Sequence, residues 1–104
     1  MKSIFLALCL LLVVPGALAR TVLIDVRTPA EFSEGHLSGA INIDHELIAQ
    51  RISSAGVRKD DRVLLYCKSG RRAGIAQEAL RHLGYQDVEN LGGLEAARSR
   101  LEQK

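Results

Sequence analysis

Strand-like and helix-like segments alternate along this sequence, and this alternation constrains the fold more than any other feature. Thr21 to Val26 and Arg62 to Tyr66 are largely apolar runs of the kind that form buried strands. Ala40 to Ile43 and Val88 to Leu91 are two shorter strand candidates. A helical pattern follows each of them, and this order predicts an α/β fold with a mainly parallel β-sheet flanked by α-helices on both faces.

Capping residues and glycines mark where the helices begin and end. Thr28 to Glu31 combines a Thr cap, a Pro at the first helical position and a Glu three residues after the cap. Asp44 is a candidate cap for a second helix that ends at Gly56, and a fourth helix covers Leu94 to Leu101. The apolar positions are Leu47, Ile48, Ile52 and Ala55 in the second helix and Ile75, Ala76, Ala79, Leu80 and Leu83 in the third, which Gly84 ends.

Residues 1–19 have the pattern of a cleavable signal peptide. Lys2 is their only charge, and Ile4 to Val14 is an uninterrupted apolar run of eleven residues. Pro15-Gly16 breaks this run, and Ala17 to Ala19 supplies the small residues that a signal peptidase recognises. The run is shorter than the roughly 20 apolar residues that span a bilayer. A membrane anchor and a buried first helix are the alternatives.

Cleavage after Ala19 leaves one domain of residues 20–104, which is enough for a modest core. We expect this domain to be periplasmic, or secreted if the source lacks an outer membrane, with no stable membrane insertion after cleavage. The formal net charge of the whole chain is only +2, which excludes a polybasic protein and predicts no nucleic-acid partner.

Two cysteines are too few for a disulfide-dense scaffold or a four-cysteine zinc site. Cys9 leaves with the predicted leader, so Cys67 remains without an intrachain partner. The three histidines, His36, His45 and His82, do not have the spacing of metal ligands, and we expect no metal. We expect His36 to be structural, and His45 and His82 to lie on the surface.

The candidate reactive segment is the loop that follows the clearest central strand. It consists of Cys67, Lys68, Ser69, Gly70, Arg71 and Arg72, and a helix comes next. In parallel sheets, ligands bind at the carboxyl ends of the strands, which is where Cys67 lies. The helix N-terminus, three cations and N–H groups that Gly70 lets curl inward all favour the thiolate, which is the nucleophilic form. A small buried core cysteine is the alternative interpretation.

The length of this loop separates two kinds of cysteine chemistry. Cysteine phosphatases place five residues between the cysteine and an arginine and wrap a tetrahedral phosphate, whereas four residues separate Cys67 from Arg72. A tighter ring favours a smaller reacting group, such as the outer sulfur of thiosulfate. A cysteine-based phosphatase or arsenate reductase is therefore the less favoured enzyme.

Four motifs together resemble the single-domain rhodaneses, in particular small exported ones of the bacterial phage-shock type. The motifs are Ile24 to Phe32, Gly35 to Ile43, the Cys-x-x-Gly-x-Arg loop from Cys67 to Arg72, and Gly92-Gly93-Leu94, in which Gly92-Gly93 is predicted to form a turn after the last strand; they cover nearly all of residues 21–97. One departure is Ala97, where the family often has Trp, so we expect looser packing near the C-terminus.

The resemblance implies a rhodanese domain over residues 20–104 that transfers the sulfane sulfur of thiosulfate to cyanide or a thiol. It implies a persulfide on Cys67, formed and consumed by double displacement, with no cofactor. Lys68, Ser69, Gly70, Arg71 and Arg72 would bind the anionic donor. The partners are then thiosulfate and a thiophilic acceptor, which includes a protein acceptor. A persulfide carrier that a partner protein loads is the alternative.

Three further residues are predicted to support the site rather than react. Asp25 and Arg27 end the first strand near the same sheet edge. We expect Asp25 to accept hydrogen bonds from loop or neighbouring backbone groups. We expect Arg27 to pair with an acid such as Glu31.

Overall fold

The computed structural model describes residues 19–102, so the predicted signal peptide lies outside the described residues except for Ala19. Strands and helices alternate along this part of the chain as predicted. The elements are β1 (Thr21–Asp25), α1 (Pro29–Ser33), β2 (Ile41–Asn42), α2 (Ile48–Arg51), β3 (Arg62–Cys67), α3 (Arg71–His82), β4 (Asp87–Gly93) and α4 (Leu94–Glu102).

The four strands form one sheet in the order β2-β1-β3-β4, and every pair is parallel. The prediction of a parallel sheet with β3 in its interior is therefore confirmed. Ile24 of β1 lies opposite Leu65 of β3, and Cys67 lies opposite Gly93 after a shift in the β3–β4 register. Since all the strands run the same way, their carboxyl ends share one edge, and Cys67 ends β3 at that edge.

Alternate residues of β3 point to opposite faces of the sheet, and each face is covered by helices. Val63, Leu65 and Cys67 belong to one core cluster, while Leu64 and Tyr66 belong to the other. The first cluster also contains residues from α2 and α3: Ile48, Ala73, Ala76 and Leu80. The second contains Ala97 of α4. Ala97 is fully buried, at the position where the family that the motifs resemble often has Trp. Helices on both faces are thus confirmed.

Two predicted elements differ from the structure. The helix expected from Asp44 to Gly56 is reduced to the four residues of α2. Tighter turns replace the helix at both ends, since the Leu47 N–H donates to the Asp44 carbonyl at 2.8 Å and the Gly56 N–H donates to the Ser53 carbonyl at 2.9 Å. Gly92-Gly93 does not form a turn after the strand but continues β4. Gly92 has φ +97°, a left-handed conformation that glycine adopts readily, and Gly93 still pairs with β3 beyond the irregularity.

Candidate functional site

Cys67 is fully buried, and its sulfur faces the beginning of α3. The Sγ atom accepts the N–H of Gly70 at 2.9 Å and the N–H of Ala73 at 3.4 Å. Gly70 is the N-cap of α3 and has φ +101°, which turns its N–H back toward the sulfur. Unpaired N–H groups at a helix N-terminus carry partial positive charge. This arrangement therefore stabilises negative charge on Sγ.

The loop from Cys67 to Gly70 is fastened to β4 by a residue that the sequence analysis missed. Asn90 donates from Nδ2 to the Gly70 carbonyl at 2.9 Å, and its Oδ1 accepts the Gly92 N–H at 2.8 Å. A Cβ atom on Gly70 would lie 3.2 Å from the Gly92 Cα, so the two backbones are in close contact. In the sequence, Asn90 is only one of two polar residues in a four-residue strand candidate, and this pattern does not point to the loop.

The Gly92-Gly93 motif has a direct steric reason at its second position. A Cβ atom on Gly93 would lie 2.3 Å from the Lys68 carbonyl oxygen and 3.1 Å from the Lys68 carbonyl carbon. Both atoms belong to the backbone of the reactive loop, which therefore passes directly over Gly93. Only a residue without a side chain lets the loop take this path.

Gly93→Ala is expected to displace the reactive loop and to reduce sulfur transfer about 10²-fold, the usual effect of a misplacement of roughly 1 Å. The new methyl group would overlap the backbone of Lys68, which cannot rotate away as a side chain could. Steady-state kinetics together with a thermal melt would measure this effect.

Gly74→Ala is the matched control for that variant. Gly74 lies inside α3, and its added Cβ would make only an ordinary 3.5 Å contact with Asn90 Nδ2. The control should keep its activity and stability. Equal activity of Gly93→Ala and Gly74→Ala would contradict the steric argument.

Lys68, Ser69 and Arg71 lie at the surface of the loop. The side chains of Lys68 and Arg71 form no ion pair with any of residues 19–102. Both cations are therefore available to an anion that approaches Cys67. Of the five residues predicted to bind the donor, these three are exposed, and Gly70 contributes its backbone N–H to the sulfur.

Arg72, the fifth, is engaged with a residue from another helix. Its guanidinium donates to both carboxylate oxygens of Glu31, at 2.8 and 3.1 Å. Glu31 also completes the capping box of α1 with Thr28, as the sequence predicts. The Arg72 guanidinium, and then the Thr28 N–H, lower the pKa of Glu31 to about 2. The pair therefore stays ionised at neutral pH and links the start of α3 to α1.

Arg27 pairs with an acid, as predicted, but that acid is Asp25 and not Glu31. The Arg27 Nη2 donates to Asp25 Oδ2 at 2.7 Å, and the Arg27 backbone N–H donates to Oδ1 at 2.9 Å. Residues two apart in an extended chain share a face, which places both side chains together. Glu31 is already occupied by Arg72. The expectation that Asp25 accepts a hydrogen bond from neighbouring backbone is confirmed.

The buried pair of Asp25 and Arg27 also anchors the segment that precedes β2. Arg27 Nη2 also donates to the Gly35 carbonyl at 2.7 Å, and its guanidinium carbon lies 5.8 Å from the centre of the Tyr66 ring. The Tyr66 hydroxyl accepts the Leu37 N–H at 3.0 Å. Burial raises the pKa of Tyr66 to about 12, so its phenol stays neutral. Tyr66, which directly precedes Cys67, thus ties β3 to this segment.

Within residues 19–102, none of the three histidines hydrogen-bonds to the Cys67 sulfur, whose donors are Gly70 and Ala73. His36 stacks on Phe32 and has its Nδ1 2.8 Å from the Phe32 carbonyl, a local structural role. The His82 side chain is 77% exposed, as predicted, but that of His45 is only 19% exposed, so its predicted surface position is wrong. The His45 N–H donates to the Val26 carbonyl, which draws this residue against the sheet edge.

None of the helices within residues 19–102 is both long enough and apolar enough to cross a membrane. No three His, Cys, Asp or Glu side chains in the same range converge on a point where they could hold a metal ion.

The model of the rhodanese-like domain family matches residues 15–99 of this chain. The chain belongs to the rhodanese family. It is 43% identical to thiosulfate sulfurtransferase PspE of Escherichia coli over 93 residues, which are 89% of this chain and 88% of that protein. It is also 44% identical to YqhL of Bacillus subtilis over 71 residues, 68% of this chain and 55% of that protein.

Solved structures agree with this assignment. A rhodanese from E. coli, solved with anions, superposes with a TM-score of 0.70 at 43% identity and covers 73% of this chain and 89% of that one. The protein with the present sequence is therefore an enzyme, a sulfurtransferase that takes sulfur from a donor and passes it to an acceptor. The resemblance inferred from the motifs and the rhodanese-like fold are both confirmed.

Proposed function

We propose that the protein transfers the sulfane sulfur of thiosulfate to cyanide or a thiol acceptor through a persulfide on Cys67. The observation that carries this proposal is the Cys67 Sγ atom at the N-terminus of α3, where it receives two backbone N–H groups. The relative named thiosulfate sulfurtransferase supports the choice of donor. In the same proposal, residues 1–19 direct export to the periplasm, or to the medium in a source without an outer membrane.

The first step is attack of the Cys67 thiolate on the outer sulfur of thiosulfate. A new S–S bond forms to Sγ, the S–S bond of thiosulfate breaks, and sulfite leaves with the bonding electron pair. The negative charge of the thiolate passes to the terminal sulfur of the persulfide. In the second step, cyanide or a thiolate attacks that terminal sulfur and expels the Cys67 thiolate. The enzyme returns to its starting form, which is double displacement.

The loop contributes electrostatic preorganisation to both steps. The N–H groups of Gly70 and Ala73 point at the sulfur before any substrate binds, so no reorganisation is needed as charge develops. The contacts of Asn90 and Gly93 with the loop hold these groups in place. Arg72 acts through position, since its bidentate contact with Glu31 fixes the first turn of α3.

Intact-mass measurement after treatment with thiosulfate tests the proposal directly. We expect the protein to gain one sulfur atom, to lose it on addition of cyanide, and to form thiocyanate. Absence of both the mass gain and thiocyanate would overturn the proposal. Slow loading by thiosulfate but rapid loading by a partner protein would favour a sulfur relay instead. Hydrolysis of an aryl phosphate that depends on Cys67 would favour a phosphatase.

Removal of the two unpaired cations is expected to weaken capture of thiosulfate without slowing the chemistry. The double variant Lys68→Ala and Arg71→Ala should lower kcat/KM about tenfold at low ionic strength, because these side chains attract the dianion, and should leave kcat nearly unchanged. The difference should shrink toward 0.15 M salt, where the screening length is about 8 Å.

The charge-matched control for the double variant is Arg81→Ala with Arg98→Ala. Arg81 lies in the last turn of α3 and Arg98 lies on α4, so neither belongs to the reactive loop. The control removes the same net charge and should leave kcat/KM and its salt dependence almost unchanged. If both double variants behaved alike, local capture by Lys68 and Arg71 would be refuted.

A further inference from the structure

Arg20 is the first residue after the predicted cleavage point, and both its backbone N–H and its backbone carbonyl form hydrogen bonds. The Arg20 N–H donates to Asp61 Oδ1 at 3.0 Å, and the Arg20 carbonyl accepts the Arg62 N–H at 2.7 Å. Arg20 directly precedes β1, and Asp61 directly precedes β3. The beginning of the exported domain is therefore held at the amino ends of two adjacent strands, opposite the edge that carries Cys67.

Asp61 is a fully buried carboxylate whose partners come mostly from the backbone. Its Oδ2 accepts the Arg58 N–H at 2.8 Å and lies 3.3 Å from the Arg20 guanidinium. The Arg58 N–H, followed by that of Arg20, lowers the pKa of Asp61, so the group is ionised at neutral pH. Its cationic side-chain partner Arg20 is 56% exposed, and two backbone N–H groups also balance the carboxylate charge.

Tyr85 is a further titratable group close enough to this carboxylate to be affected by its charge. The Tyr85 hydroxyl donates to the Val57 carbonyl at 3.1 Å, and burial together with the Asp61 charge raises the pKa of Tyr85. The Lys59 ammonium lies 5.3 Å from the centre of the Tyr85 ring. None of these groups occupies the Oδ1 side, where the backbone nitrogen of Arg20 is bound.

We propose that Asp61 is a built binding site for the α-ammonium group that cleavage between Ala19 and Arg20 creates. This proposal rests on the proposed removal of residues 1–19 and is independent of the sulfur chemistry. Hydrolysis of that peptide bond adds one water: the leader keeps the new carboxylate, and the nitrogen of Arg20 becomes an amine that takes up a proton. The neutral N–H···carboxylate hydrogen bond then becomes an ion pair at the same place.

The existing geometry accepts this change without movement of the chain. The nitrogen already lies 3.0 Å from Oδ1, an ordinary distance for a charge-assisted hydrogen bond. Arg20 is exposed, so the additional protons of the ammonium group can face solvent. Cleavage one or two residues earlier would leave an uncharged peptide N–H at this position. The site therefore distinguishes one cleavage product from its neighbours.

The ion pair shifts the pKa values of its two partners in opposite directions, and these shifts define the pH range in which the pair stabilises the fold. Asp61 holds the pKa of the new amino terminus above its ordinary value of about 7.7–8.0. The resulting stabilisation is complete below that value and is lost as pH rises through the raised pKa. The carboxylate, whose pKa is lowered, loses its share only in acid. The processed protein should therefore be stabilised most at neutral and mildly acidic pH.

The test compares two full-length chains expressed with export and purified after processing. One is the natural chain, and the other has Ala-Ser inserted between Ala19 and Arg20, so that its Arg20 nitrogen stays a peptide N–H. Intact mass should first show that the natural product begins at Arg20. Near pH 8, its amino terminus should react with an acylating reagent up to about tenfold more slowly than that of the insertion control, tenfold being the effect of one pKa unit.

Thermal melts provide the second measurement. The natural product should melt higher than the insertion control at neutral pH, and the difference should disappear at alkaline pH. Asp61→Asn should abolish the slow acylation; if that variant does not fold, the insertion control still decides, since it leaves Asp61 intact. Cleavage at another bond, or equal acylation rates and equal melts, would overturn the proposal. Thiosulfate loading of Cys67 is measured in every sample, so failure of the sulfur chemistry is recognised separately.

Discussion

Cys67→Ser is expected to lower sulfur transfer by on the order of 10⁴-fold or more, the scale seen when an enzyme loses its nucleophile. A hydroxyl is a far weaker nucleophile than a thiolate at neutral pH and forms no persulfide. The substitution is otherwise small. The serine oxygen can accept the same N–H groups of Gly70 and Ala73 that Sγ accepts, so the loop should keep its path.

Two measurements separate loss of chemistry from loss of fold. Intact mass after thiosulfate treatment should show no added sulfur on Cys67→Ser, while its circular dichroism should match that of the unchanged protein. His82→Ala is a suitable control, because this side chain is 77% exposed at the far end of α3. The control should be fully active. Substantial thiocyanate formation by Cys67→Ser would mean that another group is the nucleophile.

The fold and the reactive loop could be predicted because their signals are local. The apolar run in β3 is followed within four residues by Gly70 and then by a helix, and this order alone places Cys67 at the carboxyl edge of a parallel sheet. The capping box of Thr28 and Glu31 was equally readable, since its two partners are three residues apart.

The ionic partners could not be predicted from the sequence, because they depend on which helices lie next to each other in the fold. Arg72 and Glu31 are 41 residues apart along the chain, and their contact exists only in the folded domain, where the first turn of α1 lies beside the start of α3. From the sequence, Glu31 was equally suited to Arg27, which is much closer along the chain. In the folded domain, Arg72 pairs with Glu31, and the buried Arg27 pairs with Asp25.

The contacts between the reactive loop and β4 have the same origin. Asn90 and Gly93 are more than 20 residues from Cys67, and nothing in their immediate neighbours marks them as loop contacts. The sequence predicts a turn at Gly92-Gly93, because glycines usually lie between secondary-structure elements. Inside a strand, however, glycine also marks the close approach of another backbone, which is its role here.

Asp25→Ala is expected to lower the free energy of unfolding by about 3–5 kcal/mol, because it leaves a buried guanidinium without its counter-charge. Asp25 is fully buried and Arg27 is 7% exposed. The variant removes the acceptor of one backbone and three side-chain hydrogen bonds from Arg27. The total free energy of unfolding of a small domain is only about 5–15 kcal/mol, so this loss is a large share of it. Urea unfolding would measure it.

The exposed ion pair of Glu95 and Arg98 provides the comparison. Its atoms are 2.7 Å apart, as close as those of the buried pair, but the Glu95 side chain is 80% exposed. Glu95→Ala should therefore lower the free energy of unfolding far less than Asp25→Ala does. Equal losses for Asp25→Ala and Glu95→Ala would refute the argument from burial.

A second variant distinguishes an unpaired charge from the loss of the pair itself. The double variant Asp25→Ala with Arg27→Met removes both charges, and replacing a buried pair by apolar side chains is often close to neutral. It should therefore be more stable than Asp25→Ala alone, although the Gly35 carbonyl loses its donor. Below their melting temperatures, both variants should still form the Cys67 persulfide, since neither residue contacts the sulfur. Failure to load sulfur while folded would instead assign Asp25 and Arg27 to the reaction.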